Sequence, residues 1–141
     1  MNDSINQNWG QPRVIYTAEF VKDEESLLNK FIPKHRNIFA HHSTIAFKPE
    51  NLDSIEIGKE KVLKVIGRVY DDLGDAILIE GSKSINKYPH ITISCADGVP
   101  PRYSNELIER AMDSNSVEYF SVPEEIMVTE GYSDGKNDFI S

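Results

Sequence analysis

Apolar and polar residues alternate along several short segments of the chain, as they do in strands that bury one face. These segments are rich in β-branched and aromatic residues, and most end at proline, glycine or aspartate turns. The pattern predicts six or seven strands. Their positions are residues 13–20, 38–47, 61–70, 76–80, 88–95 and a final region 117–129, interrupted near Pro123. The third and fourth strands flank a turn rich in aspartate and glycine, so we expect them to form a hairpin.

Two further segments show the apolar spacing of amphipathic helices. Asp23 is a suitable N-cap for a helix that continues to about Ile32, and Ser104 is a suitable N-cap for a second helix. The apolar stripes of the two helices are Leu27, Leu28, Phe31 and Ile32, and then Leu107, Ile108, Ala111 and Met112. Two helices combined with mostly antiparallel strands predict an α+β fold.

The length of 141 residues fits one domain, which we expect to occupy residues 13–141 after a polar, flexible leader of residues 1–12. The only cysteine, Cys95, excludes an internal disulfide and a cysteine-rich zinc site, and it fits a reducing compartment. The N-terminus lacks the basic and apolar regions of a signal peptide, and no apolar run reaches membrane-spanning length. We therefore expect a cytoplasmic protein.

The net charge of −8 disfavours tight binding of long nucleic acids, because that binding depends on Lys and Arg neutralising phosphates. A short nucleotide held in a locally basic cleft fits the charge better. Acidity that serves only solubility explains the same number equally well.

Two short motifs carry the candidate chemistry. The chain has four histidines, and two of them are followed by threonine two positions later, in His42-Ser43-Thr44 and His90-Ile91-Thr92. Side chains alternate across a strand, so each motif directs its histidine and threonine to one face. Apolar neighbours occupy the other face of each strand, which we expect to pack on the core.

Paired imidazoles of this kind suit cleavage of a phosphodiester. One imidazole takes a proton from the attacking water or hydroxyl, and the other gives a proton to the leaving oxygen. Threonine hydroxyls donate to the non-bridging phosphate oxygens, where charge develops in the transition state. The mechanism requires no metal and no cofactor. The sequence leaves open which histidine is the acid and which is the base.

Strand-borne His-x-Thr pairs separated by about half a small domain resemble those of the two-histidine (2H) phosphoesterase superfamily. Its members include LigT-like enzymes, RNA-repair cyclic phosphodiesterases and phage anti-CBASS nucleases. The resemblance implies a bilobal fold, with two antiparallel sheets and packed helices around a central groove. It also implies that His42, Thr44, His90 and Thr92 are catalytic. Residues 89–94, with Gly98, Val99 and Ser104, are most similar to the RNA-repair and anti-CBASS branches.

The leading hypothesis is a metal-independent hydrolase that cleaves cyclic oligonucleotides, as a phage anti-CBASS nuclease does to cyclic di- and trinucleotides in the host cytoplasm. The alternative within the superfamily is a phosphodiesterase that opens 2′,3′-cyclic phosphates at RNA ends. A third reading, from another class, is a module that binds a cyclic nucleotide without cleaving it.

Substrate contacts are less strongly indicated. Tyr16 is placed to stack on a base, Lys83 and Lys87 to attract phosphate, and Glu130 to accept hydrogen bonds from a base edge. Each of these residues fits an ordinary structural role equally well. Trp9 in the leader suits either capping of a base or anchoring of the terminus.

The two remaining histidines are given structural roles. Strand alternation directs His41 away from His42, towards packing or the surface, although a slip of one residue would exchange them and bring Ser43 into the cleft. We expect His35 at the surface. A metal site built from His41, His42 and His90 is disfavoured because neighbouring histidines on a strand point apart. Cys95 falls on the apolar side of its strand and suits a buried structural thiol.

Overall fold

Eight β-strands and two α-helices form residues 13–141, the part of the chain that the computed structural model describes. The predicted leader, with Trp9, lies outside the described residues. The elements in chain order are β1 Tyr16–Val21, α1 Glu24–Lys30, β2 Asn37–Ile38, β3 His42–Phe47, β4 Glu60–Tyr70, β5 Gly74–Glu80, β6 His90–Cys95, α2 Tyr103–Asp113, β7 Glu118–Ser133 and β8 Asp138–Phe139.

All eight strands belong to one sheet, in which every pairing is antiparallel. The strand order is β2-β6-β5-β4-β7-β1-β3, and β8 pairs with β7. The long strand β4 pairs with β5 along one edge and with β7 along the other, so it joins the two halves of the sheet. The α+β class with antiparallel pairing is confirmed. The expected separation into two sheets around a groove is not.

The segment 37–47 brings the two ends of the sheet together. Its first part pairs with β6, where the N–H groups of Phe39 and Ala40 donate to the carbonyls of Ile93 and Thr92 at 2.9 and 2.8 Å. Its second part, β3, pairs instead with β1. Ala40 lies between them with a φ of 51°, in the left-handed region. The single strand predicted over residues 38–47 is therefore divided, because this residue redirects the chain from one edge to the other.

Two apolar clusters occupy opposite faces of the sheet. Strand β5 shows the division, since Ile77 and Ile79 belong to one cluster while Ala76 and Leu78 belong to the other. Helix α1 packs on the first cluster through Leu27 and Phe31. Helix α2 packs on the second through Leu107, Ile108 and Ala111. Full burial of an aliphatic or aromatic side chain of this size contributes about 1.5–3 kcal/mol, so each cluster stabilises the docking of its own helix.

The two helix starts differ in how well the sequence predicts them. The side chain of Asp23 accepts a hydrogen bond from the N–H of Ser26 at 2.9 Å, which confirms the predicted cap. The predicted cap at Ser104 is wrong. Helix α2 begins at Tyr103 after Arg102, and Ser104 is fully buried within its first turn. The turn that precedes α2 already bonds the first helical N–H groups, so the hydroxyl of Ser104 is free to bond Thr92.

The C-terminal part of the sheet also departs from the prediction. Strand β7 is continuous through Pro123, but its pairing with β4 jumps from Tyr119 opposite Gly67 to Glu124 opposite Val65. Residues 120–123 thus lie in a bulge, which suits a proline that has no N–H to donate. The two-residue strand β8 is absent from the prediction because so short a strand shows no periodicity. No helix among residues 13–141 is long and apolar enough to cross a bilayer.

Candidate active site

The sheet pairing brings the two His-x-Thr motifs side by side. Strand β6 carries the second motif, and the chain that bonds to β6 through Ala40 leads directly into the first motif on β3. In β3 the residues between the motif positions, Ser43 and Ile45, are buried. In β6 the same is true of Ile91 and Ile93. The predicted alternation is seen in β3, where Ser43 and Ile45 are buried between half-buried motif residues. In β6, Ile91 and Ile93 face the first apolar cluster as predicted, but His90 on the other face is buried as well.

His90 is held by the backbone. Its ring Nδ1 lies 2.8 Å from the carbonyl oxygen of Tyr88. A carbonyl only accepts hydrogen bonds, so Nδ1 carries the proton and Nε2 remains available. The side chain is only 9% exposed, and this burial lowers its pKa, although the hydrogen bond to Tyr88 acts in the opposite direction. The ring is therefore neutral for most of the time at pH 7.

His42 is held by side chains. Burial is the main cause that lowers the pKa of His42 to about 4, and electrostatic repulsion from the neighbouring His41 and His90 adds to it. The ring of Tyr16 stacks on it, with centroids 4.7 Å apart and planes 23° from parallel. Phe20 lies on β1 like Tyr16, and the centroid of its ring is 5.7 Å from that of His42. The influence of His90 on this pKa agrees with the side-by-side arrangement of the two motifs.

His41 does not point away from His42 as strand alternation predicts. The Nδ1 atoms of the two rings are 2.9 Å apart, and the Nε2 of His41 lies 2.7 Å from Oδ2 of Asp138. The prediction is wrong because His41 precedes β3 and follows the left-handed Ala40, so the alternation of an extended strand does not apply to it. His41 and Asp138 are thus two members of the site that the sequence did not assign to it.

The threonines of the motifs differ in their contacts. The hydroxyl of Thr92 lies 2.8 Å from that of Ser104 and donates to the carbonyl of Pro101 at 3.2 Å. Helix α2 is therefore tied to the second motif by its first turn. Thr44 is half-buried and lies opposite Ala18 in β1. Ser104 is a further residue of the site whose role the sequence did not reveal, because a serine before an apolar stripe indicates a helix cap.

Tyr16 is the one predicted substrate contact that lies against a motif histidine. Burial raises the pKa of its phenol, so the side chain stays neutral at physiological pH. Its ring covers one face of the His42 imidazole. Stacking on a base stays a prediction for this residue.

Glu130 and Lys83 lie together in a buried ion cluster, which we define as Glu19, Lys61, Lys83 and Glu130. The Nζ of Lys83 is 3.0 Å from Oε1 of Glu130, and the Nζ of Lys61 is 3.3 Å from Oε2. Burial by itself would raise the pKa of Glu130, but hydrogen bonds from the Glu56 N–H, Lys83 and Lys61 lower it. Lys83 also donates its backbone N–H to Glu19 at 2.9 Å. The ion cluster therefore anchors the loop that leads towards β6.

The other predicted positions have these surroundings. Lys87 is exposed and lies 3.6 Å from Glu109 of α2. The role of Lys83, Lys87 and Glu130 in substrate binding stays a prediction. His35 is only half-exposed, and its Nε2 lies 2.7 Å from the carbonyl of Asp71, so it joins two loops. Cys95 is fully buried, and that burial raises the pKa of its thiol, which suits a structural role.

Among residues 13–141, no group of three or more His, Cys, Asp or Glu side chains is arranged to hold a metal ion. The chemical groups that the site offers are two imidazoles and two threonine hydroxyls. Such a set can transfer protons at a phosphate and donate hydrogen bonds to its oxygens.

Comparison with known families agrees with this chemistry. Residues 20–131 match the family described as the fungal tRNA ligase phosphodiesterase domain, a 2H phosphoesterase-type domain. The match includes both His-x-Thr motifs and both helices. No curated protein matches the chain. Because the match spans most of the 141 residues, the chain belongs to the fungal tRNA ligase phosphodiesterase family.

Proposed function

We propose that this protein opens 2′,3′-cyclic phosphates at the ends of RNA. The observation that carries the proposal is the pairing of segment 37–40 with β6, which sets His42 beside His90 in a chain of this family. The family match favours this activity over the cleavage of cyclic di- or trinucleotides, which the sequence alone placed first. An anti-CBASS role has no support in the match.

The reaction needs one proton acceptor and one proton donor. An unprotonated imidazole takes a proton from water while the water oxygen bonds to phosphorus. The bond from phosphorus to one ribose oxygen then breaks, and the second imidazole, protonated, gives its proton to that oxygen. The products are a phosphate monoester and a free hydroxyl on the same ribose. His42 and His90 are the residues proposed for these two roles.

The threonines are proposed to hold the phosphate. Thr92 has a single hydroxyl proton, which in the structure is directed to the carbonyl of Pro101. A phosphate oxygen is the stronger acceptor, so a bound substrate draws that proton while Ser104 donates to Thr92 in turn. Thr44 is proposed to contact a second phosphate oxygen from β3.

The net charge supports contact with only a short part of the RNA. A net charge of −8 repels a long polyanion, whereas a terminal cyclic phosphate requires contacts over only one or two nucleotides. Tyr16, beside His42, offers an aromatic face on which the terminal base can stack.

A panel of substrates tests the proposal. The purified protein is incubated in EDTA with a short RNA ending in a 2′,3′-cyclic phosphate, and separately with cyclic di- and trinucleotides. We expect the RNA end to be opened to a monoester, and the cyclic oligonucleotides to be cleaved more slowly by a large factor. Faster cleavage of a cyclic oligonucleotide would replace the proposal with the nuclease reading. Tight binding without turnover of any substrate would favour the binding module.

A further inference from the structure

We propose that Asp138 and His41 are positioning residues that hold His42 with its Nε2 unprotonated, as the general base. The inference rests on the proposed function, and it leaves the role of general acid to His90, because the carbonyl of Tyr88 favours a proton on that ring. The two residues lie far apart in sequence, and neither belongs to a His-x-Thr motif. The structure joins them to His42 in a chain of three groups, Asp138, His41 and His42.

The assignment follows from counting protons along this chain. The carboxylate of Asp138 only accepts, so the Nε2 of His41, at 2.7 Å, carries a proton. In the state that we propose, His41 is neutral and has a lone pair on Nδ1. The Nδ1 of His42 lies 2.9 Å from that atom, and two ring nitrogens at this distance share one proton. That proton belongs to His42, whose Nε2 is left with its lone pair.

The chain also supports the charge that forms during the reaction. When Nε2 of His42 takes a proton from water, its ring becomes positive while its Nδ1–H still donates to His41. The negative charge of Asp138 lies beyond His41 and attracts the new imidazolium. The opposite orientation, with a doubly protonated His41 donating to His42, would place a proton on Nε2 of His42 and prevent it from acting as a base.

The groups that face His42 agree with a neutral resting state. From β1 it meets the rings of Tyr16 and Phe20, and β6 contributes the charge of His90. Asp138 is the acidic group on β8; its carboxylate contacts His41 and also raises the pKa of the Tyr16 phenol. The phenol of Tyr16 is neutral, so the ring that stacks directly on His42 brings no negative charge to it.

The position of Asp138 depends on close packing of β8 against the end of β7. Strand β8 pairs with the end of β7, with Asp138 opposite Ser133 and Phe139 opposite Tyr132. A Cβ atom added to Gly131 would lie 2.2 Å from the carbonyl oxygen of Phe139. The absence of a side chain at Gly131 is therefore what lets β8 approach and bring its carboxylate to His41.

The test reads the tautomer of His42 by ¹⁵N NMR of its ring, in the free protein at pH 7. The variants are His41→Leu, which removes the acceptor, His41→Asn, whose amide oxygen replaces Nδ1, and Asp138→Asn. Glu80→Gln, at an exposed position, is the matched control. We expect Nδ1–H in the wild type, in His41→Asn and in the control, and a mixture of tautomers in His41→Leu. Asp138→Asn should also show a mixture of tautomers, with less of the Nε2–H form than His41→Leu.

Kinetics supply the second readout. The kcat/KM for a cyclic phosphate end should fall about tenfold to a hundredfold in His41→Leu, a part of the ~10²–10⁴ that a general base contributes. His41→Asn should recover most of it. A wild-type His42 protonated on Nε2, or an unchanged tautomer in His41→Leu, would overturn the positioning role. If the expected tautomers are found but the wild type opens no cyclic end, the proposed function fails instead.

Discussion

The two His-x-Thr motifs are nearly alike in sequence, yet the structure holds them by different means. In the β6 motif the ring of His90 is buried and fixed by one backbone carbonyl, and Thr92 is tied to helix α2. In the β3 motif the ring of His42 is fixed by His41 and covered by Tyr16. The difference shows that two copies of one motif can be held in place by different neighbouring groups. It also means that substitutions can disturb one half of the site alone.

The largest expected effect is loss of either motif histidine. His42→Gln and His90→Gln should each lower kcat/KM for a cyclic phosphate end by about 10²–10⁴, because each removes one of the two proposed proton-transfer groups. Steady-state assays on a short RNA measure this. His35→Gln is the control, since its ring joins loops away from the motifs and glutamine retains a donor in place of Nε2. If His35→Gln lost as much activity as the two motif variants, the losses could not be attributed to the proposed site.

The threonines should give smaller and unequal losses. Thr44→Val and Thr92→Val each remove a hydroxyl that we propose donates to the phosphate, and loss of one such donor costs about a hundredfold to a thousandfold in kcat. Thr92→Val should cost more, because it also breaks the contact with Ser104. Ser104→Ala should lower the rate less than Thr92→Val does. It should not change the additional loss that Thr44→Val causes. Equal losses at both threonines would show that the link to α2 has no part in catalysis.

The pH dependence tests both histidines together. The pKa of His42 is lowered to about 4, and burial also lowers that of His90 from its ordinary value near 6.5. The pH profile of kcat/KM reports the acid and base of the free enzyme, and its maximum lies between their two pKa values. We therefore expect a bell-shaped profile with a maximum below pH 6.5. A maximum at or above pH 7 would contradict the burial of the two rings as described.

The smallest effect concerns stability. A histidine that the fold keeps neutral is protonated more readily in the unfolded chain, so the free energy of unfolding decreases as the pH falls from about 6.5 towards 4. His42→Gln should remove part of this decrease, on the order of 2 kcal/mol for a partly exposed ring. Urea unfolding at pH 7 and pH 5 measures it. An identical pH dependence in wild type and variant would show that His42 is not held neutral.

The sequence predicts best what depends on local periodicity. The cap at Asp23, the hairpin of β4 and β5, and the faces of both motif strands follow from neighbouring residues and are confirmed. The joining of all strands into a single sheet could not be predicted in this way. It depends on β4 pairing along both of its edges, and the alternation of residues in β4 does not show which edges are paired.

Parts of the site depend on distant pairings and could not be found in this way. Asp138 and His41 are 97 positions apart in the sequence. The carboxylate of Asp138 reaches His41 because β8 pairs with β7. The orientation of His41 depends on the left-handed Ala40, a conformation that an alanine does not indicate. Ser104 resembles a helix cap and is instead a partner of Thr92.

The central claim is that His42 and His90 act as one acid–base pair on the same phosphate. Its most direct test is the rate of opening of a 2′,3′-cyclic phosphate end by His42→Gln, His90→Gln and the double variant. Groups that act as a unit give non-additive losses. We expect the double variant to be about as slow as the slower single variant. Losses that multiply in the double variant, or wild-type turnover in either single variant, would contradict it.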